Sequence, residues 1–282
     1  MLRLETSEPF EASLTVAVLS AHAIPGAEQA DPAAQRYRRM LRVGPWTGPV
    51  AIAFARDHLL VEVDAPSVDL ELLERRIRAW FDLDADLEPV RQVLSEDSLL
   101  APAIRRRPGL RLIGHPDGFE ALIGAVLGQQ VTLAAGRTFA ARLLTAYGTR
   151  DVSGLMCFPS AERLAGVAAH ELRETIGLTG SRASTLLAVA KACADGLAID
   201  AEGDGAEIRR RLLALPGIGP WTVDYLGLRA LRESDAFPAG DLVIRRALGG
   251  IPAKQAMARS RPWSPYRAYA AFHLWAAAYY ER

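Results

Sequence analysis

The pattern of apolar residues changes character near residue 85. Before that point, four segments of strand length alternate or run apolar: RLET, RYRRMLRVG, GPVAIAFAR and HLLVEVDA. The sequences VGPWTGP and ARDH are predicted to form turns between them. After a charged connection that begins LDADLEPV, alanine and leucine recur at helical spacing as far as residue 282. The chain is therefore predicted to be an α+β protein, with an antiparallel sheet domain over residues 1–85 and an all-α domain over residues 86–282.

Two segments of the first domain are predicted to be helices rather than strands. The first runs from Glu11 to Ala23, and the second lies in SVDLELLERRIRAWFDL, with a cap at Ser67 or Asp69. Apolar residues recur in the second segment at intervals of three and four, as expected for one buried helix face. These residues are Leu70, Leu73, Ile77, Trp80 and Phe81.

Composition limits the partners that the chain can bind and indicates its cellular compartment. The chain has 33 basic and 33 acidic residues, so a polyanion could be held only through local contacts. Cys157 and Cys193 have no spacing typical of a zinc site or an iron–sulfur cluster, and they are predicted to be reduced core thiols. Glu5, Glu8 and Glu11 lie where a secretory signal would be basic, and no apolar run is long enough to span a bilayer, so a cytoplasmic location is expected.

The string LPGIGPWT predicts a tight hairpin between two helices. One helix is predicted to end at Leu215, Gly217 and Gly219 allow positive φ, and Pro220 suits the first position of the next helix. The backbone N–H groups of Gly217, Gly219 and Trp221 would then lie together at a helix N-terminus, where a phosphate oxygen binds favourably. An ordinary turn between two helices is the alternative for such a Pro/Gly sequence.

This hairpin resembles that of the helix-hairpin-helix DNA glycosylase superfamily, in which a catalytic aspartate follows about twenty residues later. Asp241 stands twenty residues after Trp221. Other stretches are similar to the bacterial 3-methyladenine DNA glycosylase II branch: RPGLRL, GFEALIGAVLGQQVT, CFPSAERLA, DAFPAGDLVIRRAL and FHLW. The resemblance covers almost the whole chain. It implies a first domain similar to one repeat of the TATA-binding protein, and a helical domain of two subdomains with the active-site cleft between them.

The resemblance implies a monofunctional DNA glycosylase of base excision repair. Such an enzyme flips out alkylated bases, here 3-methyladenine, 7-methylguanine and other methylated bases, and hydrolyses the N-glycosidic bond to leave an abasic site. Asp241 corresponds to the catalytic carboxylate, which would sit beside the positive charge that develops on the sugar. A plain helix cap at Asp241 is the alternative, and Asp235 is the second candidate carboxylate.

Strand cleavage is not expected. Relatives that also nick the backbone carry a lysine where this chain has Trp221, and one branch has four cluster cysteines that are missing here. Water is therefore the expected nucleophile, with no iron–sulfur cluster and no required cofactor. A lyase that uses Lys191 or Lys254, the two lysines of the chain, remains an alternative.

The resemblance places five side chains in the base pocket. Trp221, Tyr225 and Trp275 correspond to aromatic residues on which a cationic alkylated base can stack. Val18 and Leu242 stand where well-known members carry aromatic residues. We therefore expect a roomier pocket whose substrates extend to other alkylated bases, such as methylated pyrimidines.

Contacts to DNA are expected at two further places. Gln130, in LGQQVT, corresponds to the wedge that fills the gap left by the flipped base, although well-known members carry an apolar residue there. The helix start LTGSRASTLL offers Ser181 and Arg182 for a second phosphate contact, with a solvated helix start as the equal alternative.

The resemblance also implies a monovalent cation at the hairpin, held by the backbone carbonyls of Leu213, Leu215 and Ile218. The expected partner is double-stranded DNA with alkylated bases, bound by a monomer in the bacterial cytoplasm and at the nucleoid during repair. Two other functions remain open: a helix-hairpin-helix protein that binds damaged DNA without catalysis, and a glycosylase for another base, such as uracil or mismatched adenine.

Overall fold

The first part of the chain forms an antiparallel sheet with two helices, in a computed structural model that describes residues 1–7 and 9–280. The strands are β1 (Leu2–Glu5), β2 (Glu28–Asp31), β3 (Arg36–Val43), β4 (Trp46–Phe54) and β5 (His58–Val63). Their order in the sheet is β1-β5-β4-β3-β2. The helices are α1 (Ala12–His22) and α2 (Leu70–Phe81). This confirms the predicted sheet and both predicted helices.

The β3–β4 hairpin shows how a predicted turn became part of a strand. Val43 pairs with Trp46, so the loop has only two residues, and Gly44 adopts φ of +57° to close it. Strand β4 therefore begins inside VGPWTGP, which the sequence pattern assigns to a turn. Strand β2 was not predicted either.

Helix α2 covers the sheet with one apolar face. The carboxylate of Asp69 accepts a hydrogen bond from the backbone N–H of Leu72 at 2.9 Å and so caps the helix. Trp80 and Phe81 are buried, and the Phe81 ring meets Phe54 of β4 edge-on at a centroid distance of 5.1 Å. Leu70 is 45% exposed, so the prediction that it belongs to the buried face is wrong at this first helical residue.

The rest of the described chain is mainly helical, which confirms the α+β class. Two helices lie in the charged connection, where none was predicted: α3 (Glu88–Ser95) and α4 (Ala101–Arg106). The helices that follow are α5 (Gly118–Gly128), α6 (Leu133–Tyr147), α7 (Ala161–Ala165), α8 (Ala169–Ile176), α9 (Gly180–Ala194), α10 (Gly205–Leu213), α11 (Pro220–Arg229), α12 (Leu242–Ala247), α13 (Ala253–Arg259) and α14 (Arg267–Tyr279). Two short strands, β6 (Thr149–Arg150) and β7 (Met156–Cys157), and a 3₁₀ turn (Arg261–Trp263) complete the described elements.

Most of the buried apolar side chains form two cores. One joins the sheet and helices α1 to α4 to the last helices of the chain, for example through Ile244 and Trp263. The other lies among helices α5 to α11. Helix α11 contributes Leu226 to the second core and Leu228 to the first, so it lies at their junction. The predicted boundary between residues 85 and 86 stays a prediction.

A buried ion-pair cluster connects the sheet to the helical region. Arg39 of β3 is 4% exposed, and its guanidinium pairs with Glu28 of β2 at 3.3 Å and with Glu120 of α5. The same guanidinium lies 5.7 Å from the ring centroid of Trp80, a distance typical of a cation–π contact. Because Glu120 and Glu28 are also buried, each depends on Arg39 for its compensating charge.

Two sequence-based expectations concern the environment of the chain. In the described ranges 1–7 and 9–280, no helix is both long and apolar enough to cross a bilayer. Cys157 and Cys193 are both free, as predicted, but each is only half-buried, and of the two Cys193 packs against the second core. Burial raises the pKa of the Cys193 thiol to about 12.

Arg39→Met is expected to destabilise the fold strongly, because it leaves two buried carboxylates without a counter-charge. The expected loss is about 3–5 kcal/mol in the free energy of unfolding, measured by urea titration. Arg36→Met is the matched control on the same strand. Arg36 pairs with Glu62 at the surface, and its loss should cost less than about 1 kcal/mol. Equal losses in the two variants would contradict the proposed role of Arg39.

Candidate active site

The hairpin between α10 and α11 has the predicted form with two corrections. Helix α10 ends at Leu213, two residues earlier than predicted. Gly217 has φ of +79°, whereas Gly219 caps α11 with an extended φ of −113°, so only one of the two glycines uses positive φ. A β-carbon on Gly217 would also lie 2.0 Å from the hydroxyl oxygen of Thr185 on α9. Both the conformation and the close approach therefore require glycine at position 217.

The hairpin presents unbonded backbone donors. The N–H of Ile218 donates to the carbonyl of Leu215 at 3.2 Å. The N–H groups of Gly217, Gly219 and Trp221 have no hydrogen-bond partner within the part of the chain that the structure describes. These donors lie at the positive end of the ten-residue helix α11, which suits an anion.

The loop between α5 and α6 is hydrogen-bonded to this hairpin. The side-chain amide of Gln129 donates to the carbonyl of Gly217 at 3.1 Å and to the hydroxyl of Thr222 at 3.2 Å. Gln130 is exposed and has φ of +55°, an uncommon conformation for a residue other than glycine. The loop therefore projects Gln130 outward from a base that is tied to the hairpin.

The second predicted phosphate contact is only partly available. Ser181 is exposed in the first turn of α9, which Thr179 caps. Arg182 is half-buried, donates to the carbonyl of Gln129 at 2.5 Å and lies 5.7 Å from the ring centroid of Phe139. The Arg182 side chain thus holds the α5–α6 loop, which differs from the predicted contact to DNA phosphate.

Asp241 lies at the N-cap of α12 and accepts four hydrogen bonds. One carboxylate oxygen accepts from the backbone N–H groups of Val243 at 3.0 Å and Ile244 at 3.1 Å, and from the indole N–H of Trp275 at 3.1 Å. The other oxygen accepts from the indole N–H of Trp221 at 3.2 Å. All four partners are donors, which suits an ionised carboxylate because it only accepts hydrogen bonds. The cap role and an active-site position are therefore compatible.

A cavity of about 150 Å³ opens beside Asp241, and the core residues in its wall belong to the first core. Tyr225, Trp275 and Val18 line it together with Asp241. A cavity of this volume accommodates a ring the size of benzene in other proteins. Four of the predicted catalytic and pocket residues therefore meet at one cavity, although they come from α1, α11, α14 and the start of α12.

Two of the predicted pocket residues do not line this cavity. Trp221 stacks on Tyr225, with 5.4 Å between ring centroids and 19° between planes, and directs its indole N–H at Asp241. Leu242 is 54% exposed, because as the first residue of α12 it points to solvent. The cavity is thus formed without these two side chains, and Trp221 supports two residues that do line it.

Several residues that line the cavity were not predicted. Arg229 follows Tyr225 by one turn of α11 and Phe272 precedes Trp275 by one turn of α14, so helical spacing could have indicated both. The sequence gives no such signal for the remaining side chains, because tertiary packing brings them to the cavity. They include Leu14, Thr15 and His22 of α1, the segment around Leu110, and Tyr279 and Tyr280.

Other candidate residues lie apart from the cavity. Asp235 forms two hydrogen bonds of 2.7 Å with the guanidinium of Arg267 and one with Ser264. Lys191 and Lys254 are exposed on α9 and α13. None of these three side chains lines the cavity beside Asp241.

The carbonyls predicted to bind a monovalent cation lie at the hairpin. The Leu215 carbonyl accepts the N–H of Ile218, while the carbonyls of Leu213 and Ile218 accept no backbone N–H from the described residues. Free carbonyl oxygens are ligands that suit a hard cation. Over residues 1–7 and 9–280, no group of three or more His, Cys, Asp or Glu side chains could hold a metal.

Comparison with known proteins identifies two regions of the chain. Residues 1–117 match the AlkA N-terminal domain, and residues 123–257 match the HhH-GPD superfamily base excision DNA repair protein. Over 98% of its length the chain is 22% identical to the 3-methyladenine DNA-glycosylase from Archaeoglobus fulgidus, with a TM-score of 0.86 over 97% of that chain. At this identity the likeness shows a shared fold.

Two curated relatives are more similar in sequence. A probable bifunctional transcriptional activator/DNA repair enzyme AlkA of Mycobacterium tuberculosis is 39% identical over 97% of this chain, which spans only 56% of that protein's length. DNA-3-methyladenine glycosylase 2 of Escherichia coli is 33% identical over 98% of this chain and 96% of its own length. The chain therefore belongs to the HhH-GPD superfamily of base excision DNA repair proteins, in the group that carries an AlkA N-terminal domain.

Proposed function

We propose that this protein is a monofunctional DNA glycosylase of base excision repair. It flips alkylated bases out of double-stranded DNA, hydrolyses their N-glycosidic bonds and leaves abasic sites. The substrates are 3-methyladenine, 7-methylguanine and other methylated bases. The similarity to DNA-3-methyladenine glycosylase 2 of Escherichia coli supports this activity.

The proposal rests on one observation. The Asp241 carboxylate accepts four hydrogen bonds at the edge of a cavity lined by aromatic side chains. When the bond between C1′ and the base breaks, the electron pair leaves with the base and the sugar gains positive charge. The Asp241 carboxylate stabilises that charge, because four hydrogen-bond donors hold it in place beside the cavity. A water molecule then adds to C1′ and loses a proton.

The cavity supports binding of a planar, electron-poor base. Tyr225 and Trp275 offer ring faces to a base that alkylation has made cationic. Val18 is a small residue in this wall, which supports a substrate range that includes smaller methylated bases. Trp221 acts from behind Tyr225, keeping the ring and the carboxylate in place.

The surface beside the cavity supports binding to duplex DNA. The unbonded N–H groups of Gly217 and Gly219 bind a phosphate oxygen, and a monovalent cation on the hairpin carbonyls would add a positive charge there. Gln130 fills the gap that the flipped-out base leaves in the base stack. Gln129 holds the α5–α6 loop, which carries Gln130, at a fixed separation from the hairpin. We propose a monomer that works in the cytoplasm at the nucleoid.

Asp241→Asn should abolish base release while preserving the fold, because asparagine also caps helices but carries no negative charge. We expect the single-turnover rate on methylated DNA to fall by about 10²-fold or more. Affinity for abasic DNA, measured by fluorescence anisotropy, should persist.

The matched control for this prediction is Asp204→Asn. Asp204 caps α10 through the N–H groups of Ala206 and Glu207, away from the cavity, so its variant should keep the rate of the wild type. If Asp241→Asn retained full activity, Asp241 would be only a cap. If the wild type bound DNA but released no base, the protein would be a non-catalytic binding module.

Borohydride should trap no covalent adduct between this protein and abasic or alkylated DNA. Trp221 occupies the position after the hairpin, and Lys191 and Lys254 are exposed outside the cavity, so no amine is positioned to attack C1′. Gel electrophoresis after reduction checks this expectation. An adduct that disappears in Lys191→Arg or Lys254→Arg would indicate a lyase.

A further inference from the structure

Arg229 is a charged side chain buried in the wall of the cavity. It lies at the end of α11, one turn after Tyr225, and is only 8% exposed. Its guanidinium carbon is 5.8 Å from the Tyr225 ring centroid and 5.9 Å from that of Phe272. The guanidinium therefore sits between two of the rings that form the cavity.

Within residues 1–7 and 9–280, the N–H donors of this guanidinium have no hydrogen-bond partner. Its Nε atom is buried without a hydrogen bond, and no carboxylate of the described residues pairs with the Arg229 side chain. Arginine remains charged under all ordinary conditions, so its burial is costly unless something accepts its hydrogen bonds. A polar group of this kind at the wall of a binding cavity indicates a ligand atom that completes it.

The neighbouring basic side chains differ from Arg229. Arg111 also lines the cavity and its Nε atom is likewise buried without a hydrogen bond, but its terminal nitrogens donate to the carbonyls of Asp82, Ala85 and Ser7 and to the Ser7 hydroxyl. Burial, reinforced by the charge of Arg229, lowers the pKa of His22 to about 3, so this imidazole is neutral at physiological pH. Of these three side chains, Arg229 brings an uncommitted positive donor to the cavity.

We infer that Arg229 determines specificity by donating a hydrogen bond to a carbonyl oxygen on the edge of the flipped-out base. This inference rests on the proposed glycosylase function and narrows its substrate class. A base with a carbonyl at C6, as in guanine, satisfies the guanidinium. A base with an amino group at C6, as in adenine, places its own N–H donors against those of the guanidinium, so neither group finds an acceptor.

The test uses two lesions in the same DNA. Duplex DNA treated with dimethyl sulfate contains 3-methylguanine and 3-methyladenine, which share the methyl position and the positive charge. At C6 the first carries a carbonyl and the second an amino group. Chromatography of the released bases gives both initial rates from one incubation, and their ratio cancels differences in enzyme concentration and DNA affinity.

Arg229→Met should lower the ratio of the 3-methylguanine rate to the 3-methyladenine rate about tenfold or more, because the N–H donors are lost while an unbranched apolar stem is kept. Arg229→Gln, the second variant in case the first does not fold, should lower this ratio about threefold or more because its amide is shorter and uncharged. Arg142→Met is the matched control. Arg142 donates to the carbonyl of Ile176 outside the cavity, and its variant should keep the ratio of the wild type.

The outcomes separate the inference from the function on which it rests. If the Arg229 variants change both rates by the same factor, Arg229 does not read the base, and the proposed glycosylase function still holds. If the wild type releases neither base, the proposed function is wrong and the inference falls with it. A lower ratio in the Arg229 variants alone supports the role in specificity.

Discussion

The architecture of the site depends on the hydrogen bonds between the Asp241 carboxylate and two indole N–H groups. Trp221 begins α11 and Trp275 lies in α14, so one carboxylate joins two helices that are more than fifty residues apart in the chain. The same contacts exclude other orientations of the two rings. Stacking of Trp221 on Tyr225 then extends the ordered network from the carboxylate to the wall of the cavity.

In the proposed function, helix α11 takes part both in binding DNA and in recognising the flipped-out base. Its N-terminus carries the unbonded donors of the hairpin, its middle carries Tyr225, and its end carries Arg229 in the cavity wall. Because α11 has side chains in both cores, it cannot shift without disturbing either one. Gln129 ties the α5–α6 loop, which carries Gln130, to this unit through its bonds to the hairpin. In the proposed function, α11 therefore sets the separation between the bound phosphate, the Gln130 wedge and the base cavity.

Features of the fold and of the site that depend on local sequence could be predicted, and those that depend on tertiary packing could not. Strand alternation and helical spacing indicated the sheet, α1 and α2, and the hairpin string together with Asp241 indicated the site. Periodicity does not reveal that the last helices return to the sheet, so α1 residues of the cavity other than Val18, such as His22, were missed. The position of Trp221 behind Tyr225 and the exposure of Leu242 depend on how short helices end and turn, which residue spacing does not specify.

The central claim is that the cavity beside Asp241 releases damaged bases from DNA. The most direct measurement incubates the purified protein with methylated duplex DNA under single-turnover conditions and identifies the released small molecules by mass spectrometry. The account predicts free methylated purines and an equal number of abasic sites in unbroken strands. Release of no base, or release of unmodified uracil or adenine from suitable duplexes in place of methylated bases, would contradict it.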